Sequence, residues 1–404
     1  MNRIALCLSA AIAKVTESAL GPYQTAVIRI GFAATWLLFL LRELPHRHEL
    51  YGPDGPWDFA LGQQLIKANG AFTALIWTDS RFWFELVYAL AVLCAVLLLL
   101  GWRTRTTSVL FMVGVLSLQN RSIFMGDGGD NVLHLMSIYL VFTRCGRVWS
   151  LDARRADRQH AARARGERMT DRVGPLLWGL WGTVLVLATL AGRLDGDLTV
   201  PLILWTVWLA LAVWWLVGRF ARTAQPRVLL DVIANIVHNG ALFVIMAEAC
   251  LIYATAGWYK IQGSRWQDGT AVYYPLHLEY FSPWPALADA LAASGVMVLL
   301  VTYGTVLVQV AFPFTLFNRR AKNVLLAFMM FEHAVIAVVL GLPFFSLAMI
   351  AADAVFLPTG FLRGLGARAA RLPARLPGRR GRAAVLPEQR SPENPEQSHV
   401  ASPS

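Results

Sequence analysis

Ten long, nearly uninterrupted apolar runs dominate this sequence, and they constrain it more than any other feature. A helix needs about 20 mostly apolar residues to cross a bilayer. The runs fall near 24–41, 82–100, 107–125, 129–143, 174–192, 198–217, 238–258, 292–317, 323–340 and 342–358. Stretches such as 86–100 do not alternate polar with apolar, which excludes a membrane β-barrel. Composition agrees: 56% of the residues are hydrophobic and 15% charged, against roughly 25% charged in a soluble domain. The expected fold is an all-α, polytopic integral membrane helix bundle of about ten spans.

The charge supplies an orientation. The chain carries +11, but only four of its 36 basic residues are lysine. Arg103 and Arg105 lie between the second and third runs, and nine arginines lie between residues 144 and 172. Arg219, Arg222 and Arg227 follow the sixth run, and Arg319, Arg320 and Lys322 follow the eighth. Eight more occupy the tail beyond 359. With ten spans all of these fall on one side, which the positive-inside rule makes the cytoplasm, together with both termini. That distribution argues for a multi-pass protein of the cell (plasma) membrane with membrane lipid as a partner, and against nucleic-acid binding. Residues 1–23 read as an interfacial helix, 24–358 as the transmembrane domain and 359–404 as an Arg/Pro-rich disordered cytoplasmic tail. Cys7, Cys94, Cys145 and Cys250 fit no metal motif, and no metal is expected.

Polar groups at membrane depth are candidates for function. Lys260 ends the seventh run. It is either a base, since a desolvated lysine can lose its proton where arginine cannot, or a snorkelling cation beside Trp258 and Tyr259. His134 lies one turn inside the fourth run. His333 lies within the ninth, beside Glu332. Each is either a proton-handling imidazole or a histidine satisfied inside the bundle. Glu248 faces the same choice and could pair with Arg29. Asp127, Asp130 and Asn131 cluster around Gly126, Gly128 and Gly129, which suits a tight turn with an Arg121–Asp salt bridge; a metal site is the weaker alternative, since the cluster has no EF-hand spacing.

Two stretches carry a family resemblance. The first is LVYALAVLCAVLLLLGWRTRTTSVLF over 86–111, followed by Trp149-Ser150-Leu151-Asp152. The second is YATAGWYKIQGSRWQDGTAVYY over 253–274. Phe281-Ser282-Pro283, Phe331-Glu332-His333 and Phe345-Ser346-Leu347-Ala348-Met349 continue it. Together they resemble the HTTM (horizontally transferred transmembrane) family, the membrane domain shared with vitamin K-dependent γ-glutamyl carboxylase, over roughly 20–358. The likeness is greatest to bacterial members of the sporulation-delaying-protein B type, associated with maturation of a secreted peptide toxin.

The resemblance places Lys260 at the position of the catalytic base that deprotonates vitamin K hydroquinone, and His333 at or near a family histidine. It sets Asn131 and His134 around an Asn-His pair. It implies a modifying enzyme of the carboxylase-like, lyase type with a quinone-like lipid as co-substrate and a secreted peptide precursor as partner. Lys260, His333 and His134 would be catalytic, and Asp130, Asn131, Arg121, Trp266 and Asp268 would bind substrate. This sequence has an arginine-rich tail where the carboxylase has a large lumenal part, so carboxylation of a tethered propeptide is not expected. The alternative is a non-catalytic membrane protein that binds, chaperones or transports a peptide or lipid.

Overall fold

A computed structural model describes residues 3–167, 170–195, 198–220 and 225–371. Every regular element among them is helical. Each of the ten apolar runs becomes a helix: α1 (Pro22–Glu43), α2 (Arg81–Leu100), α3 (Thr104–Arg121), α4 (Gly128–Val141), α5 (Val173–Leu190), α6 (Thr199–Phe220), α7 (Gln225–Gln262), α8 (Gly295–Ala311), α9 (Arg319–Val339) and α10 (Pro343–Asp353). Seven of these, α1, α2 and α5 to α9, are long and apolar enough to cross a membrane. The count reaches eight if Pro343–Phe356 and Thr359–Arg371 form one bent span.

The other three fall short for physical reasons. Helix α4 has 14 residues and α10 has 11, so at 1.5 Å per residue they run about 21 and 17 Å. Helix α3 interleaves Thr, Ser, Gln and Arg with its apolar residues. All three lie inside the main core with α1 and α2, where Ile28, Phe32, Trp36, Leu98, Phe111, Val115, Met136 and Ala352 are buried. A second core joins α3 to α5 and α6 through Met112, Leu116, Leu185 and Leu204.

Buried polar side chains tie the packing together. Arg29 has no exposed surface. Its Nη1 donates to the carbonyls of Leu98 and Leu99 at 2.7 and 3.0 Å, and its Nη2 to that of Trp149 at 2.7 Å. It thus supplements the Gly101 amide at the Leu98 carbonyl and supplies a donor to the Leu99 carbonyl, both at the end of α2. Its partners are carbonyls, not Glu248, and that expected pair does not form. Asn235 and Asn239 of α7 hold the N-terminal helix Arg3–Glu17, and His238 bonds the Leu20 carbonyl just beyond it at 2.8 Å. Asn239 Nδ2 donates to Val15 O and Ser18 O at 2.8 Å, and Asn235 Nδ2 to Thr16 O at 2.9 Å. The outward side of that helix exposes Leu6, Leu8 and Ile12.

The segment expected to be a disordered tail begins as a helix, Thr359–Arg371, because Ala, Leu and Arg are good helix formers. The rest of that tail, 372–404, and Arg168 in the long basic connection lie outside the described residues.

Candidate functional site

The end of α7 is built for close approach. A Cβ on Gly257 would meet Val310 Cγ2 of α8 at 2.7 Å, so only a glycine lets the two helices come this near. One turn on, Lys260 is half-buried. Its Nζ donates to Gln309 Oε1 of α8 at 2.8 Å and lies 5.2 Å from the centre of the Trp266 ring. Gln309 Nε2 donates in turn to Glu332 Oε1 of α9 at 2.8 Å. Gly269 closes the Trp-x-x-Gly turn with φ +78, a conformation that glycine adopts without strain.

Two helical turns below Lys260 lies a second polar group. Tyr253, 2% exposed, donates its hydroxyl hydrogen to Asp353 Oδ2 of α10 at 2.9 Å. His333 Nε2 is 3.0 Å from the same hydroxyl oxygen. With the tyrosine donating to the carboxylate, its oxygen accepts from His333 Nε2–H, and the neutral imidazole is left with a bare Nδ1. Nδ1 has no partner, nor do Asp353 Oδ1 and Ser346 Oγ, though all three are buried. Buried polar atoms are paired in the great majority of cases. Three of the unpaired buried polar atoms among the described residues thus fall together, on two adjacent helices.

Lys260, Glu332 and His333 thus come together across α7, α8 and α9. The cluster from Asp127 to His134 does not join them. Asp127 caps α4: its Oδ1 accepts from the amides of Gly129 and Asp130 at 2.7 and 3.2 Å, and Asp130 Oδ2 accepts from the Asp127 amide at 2.8 Å. This reciprocal capping box replaces the expected Arg121–Asp salt bridge. Asp130, Asn131 and His134 line their own cavity of about 360 Å³ with Tyr51, Gln119 and Asn120. What links the two places is Phe345, whose ring packs 5.5 Å from His333 and whose Cα stands where a Cβ on Gly129 would go.

Two expected substrate contacts take other roles. Arg121 is 1% exposed and its Nη2 donates to Gly52 O and Trp57 O at 3.0 and 2.8 Å. It pins the 44–80 connection. Asp268 is exposed and pairs with Arg265 at 3.5 Å, two residues beyond Trp266. The Thr270 hydroxyl and amide bond this carboxylate and hold it below its ordinary titration range, and Arg265 adds to the effect. Tyr253, Gln309 and Asp353 were not singled out in the sequence. Asp353 carries a visible signal, being a lone carboxylate in an apolar run. Tyr253 and Gln309 carry none, since both types are common near the ends of membrane helices.

No family model matches the chain, and no solved structure matches it. The chain is similar to Uncharacterized protein YitO of Bacillus subtilis (strain 168), 32% identical over 111 residues, which is 26% of this chain. The match spans 36% of the length of YitO.

Proposed function

We propose that this is a multi-pass protein of the HTTM type in the plasma membrane, with ten spans and both termini cytoplasmic. It modifies or matures an exported peptide at the outer face, with Lys260 as base. The observation that carries the reading is the buried Tyr253–His333–Asp353 group, with His333 Nδ1 and Asp353 Oδ1 unpaired, set beside the Lys260–Gln309–Glu332 line. Leaving polar atoms unpaired is costly in a membrane, and here three unpaired atoms are gathered on His333, Asp353 and Ser346. A network that keeps a bare nitrogen and a bare oxygen can take up and pass on a proton.

In this reading Lys260, in its neutral form, accepts a proton from a weakly acidic hydroxyl. Gln309 and Glu332 then hold the resulting ammonium in place. A lipid hydroquinone fits the donor set, because Trp258 and Tyr259 offer exposed aromatic rings next to Lys260 and Trp266 lies beneath its amine. Such a group supplies the acidic hydroxyl and an electron source. His333 receives a proton at Nδ1, and Tyr253 and Asp353 fix its tautomer. The topology is supported by the arginine-bearing connections around residues 103, 147 and 155, which meet at one cavity.

Replacing the gene in its host with Lys260→Arg or Lys260→Met, and comparing exported peptides by mass spectrometry, tests the proposal. The modified mass should vanish in the deletion strain and in both variants, with membrane levels of the protein unchanged. Full rescue by Lys260→Arg would overturn the base assignment. Identical peptide masses with and without the gene would overturn modification altogether. A second reading is a non-catalytic protein that binds, chaperones or transports a peptide or lipid. It is favoured by the separate cavity at Asp130, Asn131 and His134, which neither Lys260 nor His333 lines.

A further inference from the structure

The arginine-rich end of the bundle holds a cavity of about 770 Å³, away from the Lys260 network and independent of its reading. Five arginines line it, Arg103, Arg105, Arg144, Arg147 and Arg155, against two aspartates. Both aspartates are already committed. Asp171 takes both Nη atoms of Arg103 at 2.5 Å. Asp152 accepts from the amides of Arg103 and Thr104 and from the Thr104 hydroxyl, at 2.7 to 2.9 Å.

The remaining cations are crowded. Arg105, Arg144 and Arg227 lie 4.5, 5.7 and 4.3 Å from the centre of one indole, that of Trp214. Asp231 is the single carboxylate among them, pairing with Arg144 at 3.5 Å and Arg227 at 3.1 Å. Among the described residues no carboxylate pairs with Arg105, Arg147 or Arg155. Like charges at this spacing repel one another unless an anion lies between them. Below the guanidinium groups the wall turns apolar, with Trp178 and Leu211, and it continues into the exposed Leu180, Leu187 and Leu209 of α5 and α6.

A site that is cationic at its mouth and greasy along one side matches an amphiphile with an anionic head. We infer that this cavity binds the phosphodiester headgroup of an anionic phospholipid, with its acyl chains lying along α5 and α6. Basic pockets between membrane helices recognise such headgroups, and each arginine near the surface contributes roughly a fivefold gain in affinity. Trp214 holds the arginines in place by stacking, so that the site is formed before the lipid arrives.

Native mass spectrometry of the full-length protein, with phosphatidylglycerol or phosphatidylcholine added, tests this. The wild type should retain phosphatidylglycerol at least about tenfold more than phosphatidylcholine, as several unpaired arginines would require. The variant Arg105→Gln/Arg147→Gln/Arg155→Gln should retain both lipids equally. Should that variant fail to fold, Arg147→Gln alone, which removes no internal hydrogen bond of the described residues, should cost roughly fivefold. A control, Arg319→Gln/Arg320→Gln, removes cations outside the cavity and should leave the preference intact. Equal retention of the two lipids by the wild type overturns the inference, as does an equal loss in the control. Displacement of phosphatidylglycerol by millimolar inorganic phosphate would also overturn it, by assigning the site to a soluble anion.

Discussion

Helices α1 and α6 are both 22 residues long and both apolar enough to cross a bilayer, yet their surroundings are opposite. In the apolar window of α1, 61% is buried inside the protein; in that of α6, 11% is. The buried side of α1 contains Gln24, Thr25, Arg29 and Thr35, while the buried residues of α6 are Val200 and Leu204. Hydropathy therefore marks what tolerates lipid and says little about what packs. In a membrane the hydrophobic effect does not drive helices together, so the polar residues of an apolar helix indicate which face turns inward.

The comparison breaks first at Arg29. Arg29→Met takes the side-chain donor away from the carbonyls of Leu99 and Trp149 and leaves that of Leu98 with the Gly101 amide alone. It should cost about 3 kcal/mol or more, seen as a large fall in the thermal midpoint in detergent and in folded yield. Leu209→Ala, on the 53% exposed outer face of α6, should stay within about 0.5 kcal/mol of wild type. Equal effects would mean that α1 and α6 are not in different environments. Next in size is Gly257→Val. Its side chain would overlap Val310 and part α7 from α8, at about 2 kcal/mol. The same change should separate Lys260 from Gln309. Under the proposed function, peptide modification would then be lost in a protein that still reaches the membrane, which a purely structural glycine would not predict.

The peripheral pair can be sharpened in turn. Trp178 and Trp208 stack at 4.4 Å with 10° between their planes, and each indole donates to the other's carbonyl at 3.0 and 3.1 Å. This reciprocal lock is what joins α5 to α6 where little else is buried. A double-mutant cycle with Trp178→Leu and Trp208→Leu should give a coupling of about 1 kcal/mol. Additive effects would show that lipid, not the lock, holds the pair.

The same contrast explains how much was legible beforehand. All ten helices were readable, since each contains a largely apolar run ended by Gly, Arg or a turn, though that of α3 is interleaved with Thr, Ser and Gln. Burial was not, because α4 and α10 read as short spans and only their neighbours show them as core. At the site, Lys260 and His333 were visible as rare polar residues in greasy surroundings. Their partners were not, since Lys260 bonds Gln309 of α8 and His333 bonds Tyr253 of α7, pairings between distant stretches of sequence that only packing brings about. Asp353 could have been found by asking for every carboxylate inside an apolar run. Arg29 and Arg121 misled for one reason: a buried arginine suggests a carboxylate partner, and both are satisfied by backbone carbonyls, which carry no sequence signature.

The smallest expected effect lies at the Arg103–Asp171 pair, where α3 meets the start of α5. Both Nη atoms of Arg103 hold the Asp171 carboxyl down to about 2 from an ordinary 3.8. A carboxyl that binds its proton more weakly in the native state than in the unfolded one stabilises the fold above its unfolded value. That contribution is present in full above about pH 5, shrinks below pH 4 and is gone once the pH falls through about 2. The side chain is 35% exposed, so solvent screening holds its worth to less than about 1 kcal/mol. Asp171→Asn should therefore lower the thermal midpoint slightly at pH 6 and not at all at pH 2. Raising the salt at pH 6 should narrow the gap, as expected for a pair at a water-facing edge. A gap that persisted at pH 2 would assign the effect to the Gly174 amide, which donates to Asp171 Oδ1 at 3.1 Å. The start of α5 would then depend on a helix cap and not on charge.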